Sequence, residues 1–275
     1  MHETVTESFW LDPPWECEAS TGSPKYAKQR IGLKPIDRDA WLSPADAACR
    51  AHKQIILADS YAEAVATMPG SKAAQKGLAE FAGRVEAIYP DEIIYPDEIV
   101  NVAITLEDDL CMLDIARDQR LIAACVCSPS YWRPSDKIGK PLWDIHGPVQ
   151  GMNVKIGDSI QRFIERAAQL QPFVRRNWFV HRDREPFHLL AEGDIGVDVG
   201  DWFVRSERQT LCRIEDYLLF TIRVQCEALA CITRFPVALN GLLMSLRAMD
   251  AGEIEHFGGQ VKLQRLLQRL MQWAG

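Results

Sequence analysis

Residues 125–151 read CVCSPSYWRPSDKIGKPLWDIHGPVQG, and this stretch determines how the rest of the chain is interpreted. It begins as an apolar run typical of a strand, which a Ser-Pro turn at 128–129 ends. A short segment of helical character follows and carries one histidine, His146. The Gly-Pro pair at 147–148 then stops any helix, because both residues disfavour its continuation. The stretch therefore predicts a strand, a turn and a short helix that ends on an imidazole.

Short apolar runs on either side of this stretch bring the number of predicted strands to five. They cover residues 110–113, 121–127, 173–181, 202–212 and 218–226. The polar turn Ala116–Arg120 separates the first two and indicates a hairpin. An amphipathic helix is predicted over 158–169, between the second strand and the third. Two strands, helices and three strands in this order predict an α+β fold with one antiparallel sheet.

Helical patterns precede and follow the strands along the chain. Residues 1–30 are predicted to form an extended arm, and helices over 44–67 and 72–87 are predicted to form an N-terminal layer. Two more helices are predicted over 236–249 and 261–273, the first beginning at a proline. These segments would be additions to the central sheet.

The order of these elements suggests three regions within one structural unit. Residues 1–108 would hold the arm and the helical layer, 109–230 the sheet, and 231–275 the C-terminal helices. The pentapeptide Tyr-Pro-Asp-Glu-Ile occurs twice, at 89–93 and 95–99. Each Pro-Asp-Glu is a plausible helix start, since it places acidic residues in a first turn.

The composition limits the classes of function. The chain has 275 residues, of which 47% are hydrophobic and 25% charged, enough for a sizeable core. Its net charge of -7 and its lack of a basic stripe argue against nucleic-acid binding. No apolar stretch reaches the length of a membrane span, and the first residues lack a secretory pattern. The eight cysteines contain no C-x-x-C pair, so we expect free thiols in the cytoplasm rather than a zinc or iron–sulfur site.

His146 has two interpretations on residue chemistry alone. A single histidine near apolar residues such as Leu142 and Ile145 is most often a core residue with hydrogen-bonded ring nitrogens. The same layout with a rigid Gly-Pro exit also suits an axial ligand of a buried haem iron. Asp144 or a backbone carbonyl would then accept a hydrogen bond from the second ring nitrogen.

Five further motifs occur along the chain in a consistent order. They are Gly32–Pro35, Met68–Ser71, Glu107–Cys111, Ser206–Leu211 and Leu219–Arg223. With the stretch quoted above, they make the chain resemble the haem-dependent oxidative N-demethylase family. The resemblance implies a PAS-like antiparallel sheet of five strands, with helices on one side that enclose a pocket. It also implies that residues 109–230 form a haem-binding core.

The resemblance implies a function as well. The family converts a small secondary amine, dimethylamine, to a primary amine and formaldehyde, using dioxygen and electrons from NADPH. The implied cofactor is haem b with His146 as its iron ligand, and a separate reductase with flavin and an iron–sulfur cluster would supply the electrons. This chain has no Gly-rich phosphate loop after a strand, which fits an external electron source. A PAS-like haem sensor without turnover and a haem-free structural member are the alternatives.

Two arginines, Arg208 and Arg223, interrupt predicted strands that should pair with each other. A buried guanidinium needs an anion or a carbonyl as partner, because an uncompensated buried charge is costly. A haem propionate would be such a partner, and Arg223 is also a catalytic candidate that would polarise dioxygen beside the haem. The alternation of a strand leaves a solvated outer face as the other interpretation.

Three further residues are site candidates. Glu207 adjoins Arg208 and should point to the opposite face of its strand. In a pocket its carboxylate would act in catalysis by holding a cationic amine, whereas on the surface it would be an ordinary solvated side chain. Trp132 and Arg133 match the family pattern, which implies haem packing for Trp132 and propionate binding for Arg133.

The segment 181–188 departs from the family pattern, because it is richer in basic residues and histidine than expected. His181 and His188 would form a metal pair only at a loose spacing and without an evident third ligand. We therefore predict a solvated loop here. The departure leaves the identity of the amine substrate open.

Overall fold

The computed structural model describes residues 2–15, 33–86, 95–146, 163–164, 167–190, 196 and 198–275. Within them, seven strands form one antiparallel sheet: β1 (Lys34–Pro35), β2 (Val65–Thr67), β3 (Asp109–Asp114), β4 (Arg120–Cys125), β5 (Phe173–His181), β6 (Phe203–Ile214) and β7 (Tyr217–Ala228). Their order across the sheet is β1-β5-β6-β7-β3-β4-β2. All five predicted strands are present, but the predicted total of five is wrong, because β1 and β2 extend the two edges.

The additional edge strands are too short for a sequence pattern to identify. β1 has two residues and pairs with β5, and β2 has three residues and pairs with β4. β2 lies in the segment 44–67, for which one continuous helix was predicted. That helix is interrupted at Ser60, and β-branched Val65 and Thr67 then favour extended backbone beside β4.

Among the described residues, helices lie before β1, between β1 and β3, between β4 and β5, and after β7. They are α1 (His2–Leu11), α2 (Ala47–Asp59), α3 (Tyr61–Ala64), α4 (Lys72–Glu86), α5 (Glu98–Ala103), α6 (Pro134–Lys137), α7 (Leu142–His146), α8 (Pro236–Arg247), α9 (Ala251–Phe257) and α10 (Gln260–Ala274). Most of the helix predicted over 158–169 lies outside the described residues. In the described part of the chain, no helix is both long enough and apolar enough to cross a bilayer.

Three predictions about helices are corrected by the structure. Residues 2–11 are helical, whereas an extended arm was predicted there. α2 follows Asp46, whose side chain accepts a hydrogen bond from the Cys49 amide at 2.7 Å, so that the helix begins later than predicted. α9 was not predicted, although Asp250 and Glu253 form a reciprocal capping box at its start.

Helices cover both faces of the sheet, whereas the prediction placed them on one. On one face, Cys212 of β6 packs among residues of α2, α4 and α5, and Val204 packs with α1 and the C-terminal helices. We call this the helical-layer face. On the other face, Leu211 of β6 joins Cys111 and Leu113 of β3 in a cluster beneath α6 and α7. We call this the α7 face.

Candidate functional site

α7 packs on the sheet through its apolar side chains. Leu142 and Ile145 contact the buried cluster of the α7 face, and Trp132 contacts the same cluster from the segment before α6. Phe163 also packs there, with its ring edge-on to that of Phe173 in β5 at a centroid distance of 4.7 Å. Trp132 therefore lies on the same side of the sheet as the helix that carries His146.

A hydrogen bond from a side chain to the backbone joins α6 to α7. Lys137 donates from Nζ to the carbonyl of Ile145 at 3.1 Å, which fixes the C-terminal part of the short helix. α7 spans Leu142–His146, and the predicted stop at the Gly-Pro pair lies outside the described residues. The side chain of His146 and the residues that follow it lie outside the described part of the chain. Its role as an iron ligand therefore stays a prediction.

A buried carboxylate lies on the α7 face. Glu207 is only 6% exposed, although a surface position was the simpler interpretation of its sequence. It accepts hydrogen bonds from Arg205 Nε at 3.0 Å and from Gln209 Nε2 at 2.8 Å. Arg205 also donates to the carbonyls of Pro186 at 2.8 Å and Ser128 at 2.5 Å. This network holds the carboxylate in place at the centre of the sheet.

Arg208 and Arg223 lie in strands that pair, as predicted, and the two residues are direct cross-strand partners on the helical-layer face. Arg208 donates to the carbonyls of Trp41 at 3.0 Å and Ala40 at 2.5 Å. Burial, followed by the nearby Arg223 charge, lowers the pKa of Arg208. A haem propionate was predicted as a partner of Arg208, but these two nitrogens donate to protein carbonyls instead.

Two acidic side chains compensate the charge of Arg223. Glu107 lies 2.9 Å from its Nη1, and Asp108 lies 3.0 Å from its Nη2. Asp108 also accepts from Thr221 Oγ1 at 2.9 Å, and Thr221 contacts the hydroxyl of Thr210 at 2.8 Å. Most of this polar chain is buried. It joins residues of the Glu107–Cys111, Ser206–Leu211 and Leu219–Arg223 motifs.

The structure therefore divides the predicted site residues between two faces. Trp132 and Glu207 lie with α7 on one face, and Arg208 and Arg223 lie on the other. Alternation along β6 predicted that Glu207 and Arg208 would be separated in this way. The described partners of Arg208 and Arg223 are carbonyl and carboxylate groups of the protein. The catalytic role of Arg223 and the propionate-binding role of Arg208 stay predictions.

Two cations on the α7 side have unfilled hydrogen-bonding capacity among the described residues. Arg133 precedes α6, and its Nε is buried without a hydrogen-bond partner there. Arg175 of β5 lies opposite Gln209 of β6, so that it shares the face of Glu207. Burial lowers the pKa of Arg175, although the Glu207 charge opposes that effect. Such cations favour an anionic group nearby.

The histidines of segment 181–188 are neither solvated nor part of a described metal cluster. His181 is 1% exposed, and its ring stacks on Tyr131 at 5.2 Å and lies 4.9 Å from the ring of His188. His188 Nε2 lies 3.1 Å from Asp183. Burial, then the Arg205 charge, lowers the pKa of His181 to about 2. The predicted solvated loop is therefore wrong for these side chains, and the described residues contain no group of three metal-ligating side chains.

A comparison with protein families identifies the family of this chain. The family model described as haem-dependent oxidative N-demethylase, alpha subunit-like, matches residues 88–265. This match covers well over half of the chain, and the protein belongs to that family. No curated protein matches the chain.

The described side chains of the α7 face are compatible with a haem. Apolar and aromatic side chains line it beneath α7, which suits a flat apolar ring. Arg133 and Arg175 are cations with donors that no described residue occupies, which suits the propionate carboxylates. The helix above this face ends on His146. The residues present therefore fit the cofactor that the family name implies.

Proposed function

We propose that this protein binds haem b on the α7 face and oxidises a small secondary amine, with dioxygen as oxidant. Family membership supports the haem and the oxidative chemistry. The observation that carries the proposal for this chain is Glu207, a buried carboxylate on the face beneath α7. A buried carboxylate with accepting capacity left over is suited to a cationic partner of small size.

Glu207 would bind the amine in its protonated form. Two of its roughly four acceptor positions receive hydrogen bonds from Arg205 and Gln209, which leaves others for an ammonium group. Val224 is its cross-strand partner and Ile222 is that of Gln209, so apolar side chains adjoin the carboxylate. The alkyl groups of a secondary amine suit that surface. The network around Arg205 would keep the carboxylate in one orientation.

Other residues of this face would hold the cofactor. His146 would be the iron ligand, Arg133 would bind a propionate, and Trp132 would pack against the porphyrin. When bound, the haem would supply the chemistry by which dioxygen oxidises the amine. The packed cluster below α7 would exclude water from that reaction.

Electrons would come from a separate reductase that carries flavin and an iron–sulfur cluster and uses NADPH. The sequence motifs of this chain include no nucleotide-binding glycine loop that would serve this purpose. All seven cysteines in the described residues are free thiols, which suits the reducing cytoplasm that we propose as its location.

We expect that the chain, prepared without haem, binds one haem with a Soret absorption band, and that His146→Ala changes that spectrum or abolishes binding. Removal of the axial imidazole alters the iron's coordination directly. His256→Ala serves as control, because His256 is exposed on α9. Titration with haem followed by absorbance is the measurement. An unchanged spectrum and affinity in His146→Ala would contradict the assignment of the ligand.

The same titration separates the alternatives. Absence of haem binding by the unaltered protein would indicate a haem-free member and contradict the proposed function. Haem binding without oxidation of any amine, with a competent reductase present, would indicate a sensor.

A further inference from the structure

Arg175 and Arg176 are adjacent in β5 and therefore lie on opposite faces of the sheet. Arg176 is paired: its Nη2 lies 2.7 Å from a carboxylate oxygen of Asp12, and its Nη1 donates to the Asp12 carbonyl. Its side chain is 38% exposed. This arginine has an ordinary structural explanation, because it fastens the residue after α1 to the sheet.

Arg175 has no such explanation among the described residues. Its side chain is half-buried on the α7 face, and within the described part of the chain it makes no hydrogen bond and no ion pair. Among the described residues Glu207 is an acidic group near it, but that carboxylate already accepts hydrogen bonds from Arg205 and Gln209. A half-buried guanidinium without a hydrogen-bonding or ion-pairing partner favours an anionic group beside it, because burial of an unpaired charge is costly.

The neighbours of Arg175 indicate which anion would bind. Phe173, two residues earlier on the same face, packs edge-on against Phe163, and Leu211 opposite it belongs to the apolar cluster beneath α7. A ligand at this place must therefore carry a negative charge for Arg175 and an apolar part for the surrounding side chains. A carboxylate attached to a flat apolar ring has both, whereas a free inorganic anion has only the charge.

We propose that Arg175 binds a propionate carboxylate of the haem and is a main determinant of affinity for the diacid porphyrin. This assignment rests on the proposed function and adds to it a residue that neither the motifs nor the family match assigns. The guanidinium would form a charge-assisted and bidentate contact, which fits the planar carboxylate.

The test uses two porphyrins and two matched variants. The purified protein without haem, Arg175→Gln and Arg176→Gln are each titrated with iron protoporphyrin IX and with its dimethyl ester, which lacks the propionate charges. We expect Arg175→Gln to weaken binding of the diacid by about 10- to 150-fold, the range for a charge-assisted hydrogen bond. Its affinity for the ester should equal that of the unaltered protein. Arg176→Gln should bind the diacid as the unaltered protein does.

The outcomes separate this assignment from the proposed function. Tight binding of the diacid by Arg175→Gln, or an equal loss for diacid and ester, would overturn the role of Arg175 while the haem site stands. Failure of the unaltered protein to bind either porphyrin would overturn both. Urea unfolding of the haem-free forms gives a second readout: Arg175→Gln should be no less stable than the unaltered protein, since Arg175 makes no hydrogen bond or ion pair with the described residues that the substitution would break. Arg175→Lys, which keeps the charge, should recover part of the affinity for the diacid.

Discussion

Replacement of Lys53 by methionine is expected to lower the free energy of unfolding by about 3–5 kcal/mol, the usual cost of breaking a buried ion pair. Lys53 is 2% exposed and lies in α2. Its ammonium donates to the carbonyls of Ala103, Leu106 and Asp108 at 2.9, 2.8 and 2.7 Å. It also lies 3.7 Å from Asp109 at the start of β3. The variant would leave three buried carbonyls and one carboxylate without their cation.

The loss of stability in Lys53→Met should depend on pH, because the carboxylate of Asp109 titrates. Burial raises the pKa of Asp109, and the Lys53 charge opposes that rise. In Lys53→Met the folded-state pKa of Asp109 should rise further, so that the folded protein takes up a proton more readily than the unfolded chain. Stability is then gained as the pH falls through that raised pKa. The deficit of the variant should therefore be smaller in acid than at neutral pH.

Urea unfolding curves of Lys53→Met and Lys76→Met provide the measurement and its control. Lys76 forms an exposed pair with Glu80, at 3.9 Å with side chains 76% and 51% exposed, and its replacement should change stability by less than about 0.5 kcal/mol. Equal and small effects of the two substitutions would show that Lys53 does not hold the N-terminal layer to the sheet.

Replacement of Glu207 by glutamine is expected to reduce kcat/KM for a secondary amine by about 10- to 150-fold, because an ammonium would lose a charge-assisted hydrogen bond. Glutamine has nearly the same shape and can still accept from Arg205, so the network around the site should persist. The loss should be much smaller for an uncharged substrate analogue. Steady-state kinetics with the reductase present, and calorimetric titration with the amine, are the measurements.

Glu107→Gln is the matched control for this substitution. Glu107 also pairs with an arginine, at 2.9 Å from Arg223, but on the helical-layer face. We expect it to retain the kcat/KM of the unaltered protein. Equal activity of the two variants, whether both reduced or both unchanged, would contradict the assignment of amine binding to the α7 face.

The central strands were predictable because their burial leaves a pattern. β3 and β4 are buried on both faces and therefore appear as continuous apolar runs, whereas β6 alternates between buried and half-buried positions. β1 and β2 left no pattern, because strands of two or three residues depend on the neighbouring edge rather than on their own sequence. The sequence did not predict that helices cover both faces of the sheet, since no sequence pattern indicates which face a helix outside the sheet covers.

The site was predictable in part for the same reason. Alternation separated Glu207 from Arg208, but nothing in the sequence indicated which of them faces α7. Arg205 was missed, although its spacing of two from Glu207 places both on one face of a strand. Arg175 was missed because β5 contains two adjacent arginines, and only the tertiary structure shows that Asp12 pairs with the other.

The most direct test of the proposed chemistry is formaldehyde release from the purified haem-loaded protein with dioxygen, NADPH and a panel of small secondary amines. The reaction is run with and without a reductase that carries flavin and an iron–sulfur cluster, or with an artificial electron donor in its place. The proposed function predicts formaldehyde in proportion to the primary amine formed, and only when an electron donor other than NADPH alone is present. Sustained turnover with NADPH and no second component would contradict the proposed external electron supply, and absence of formaldehyde with every donor and amine would contradict the function.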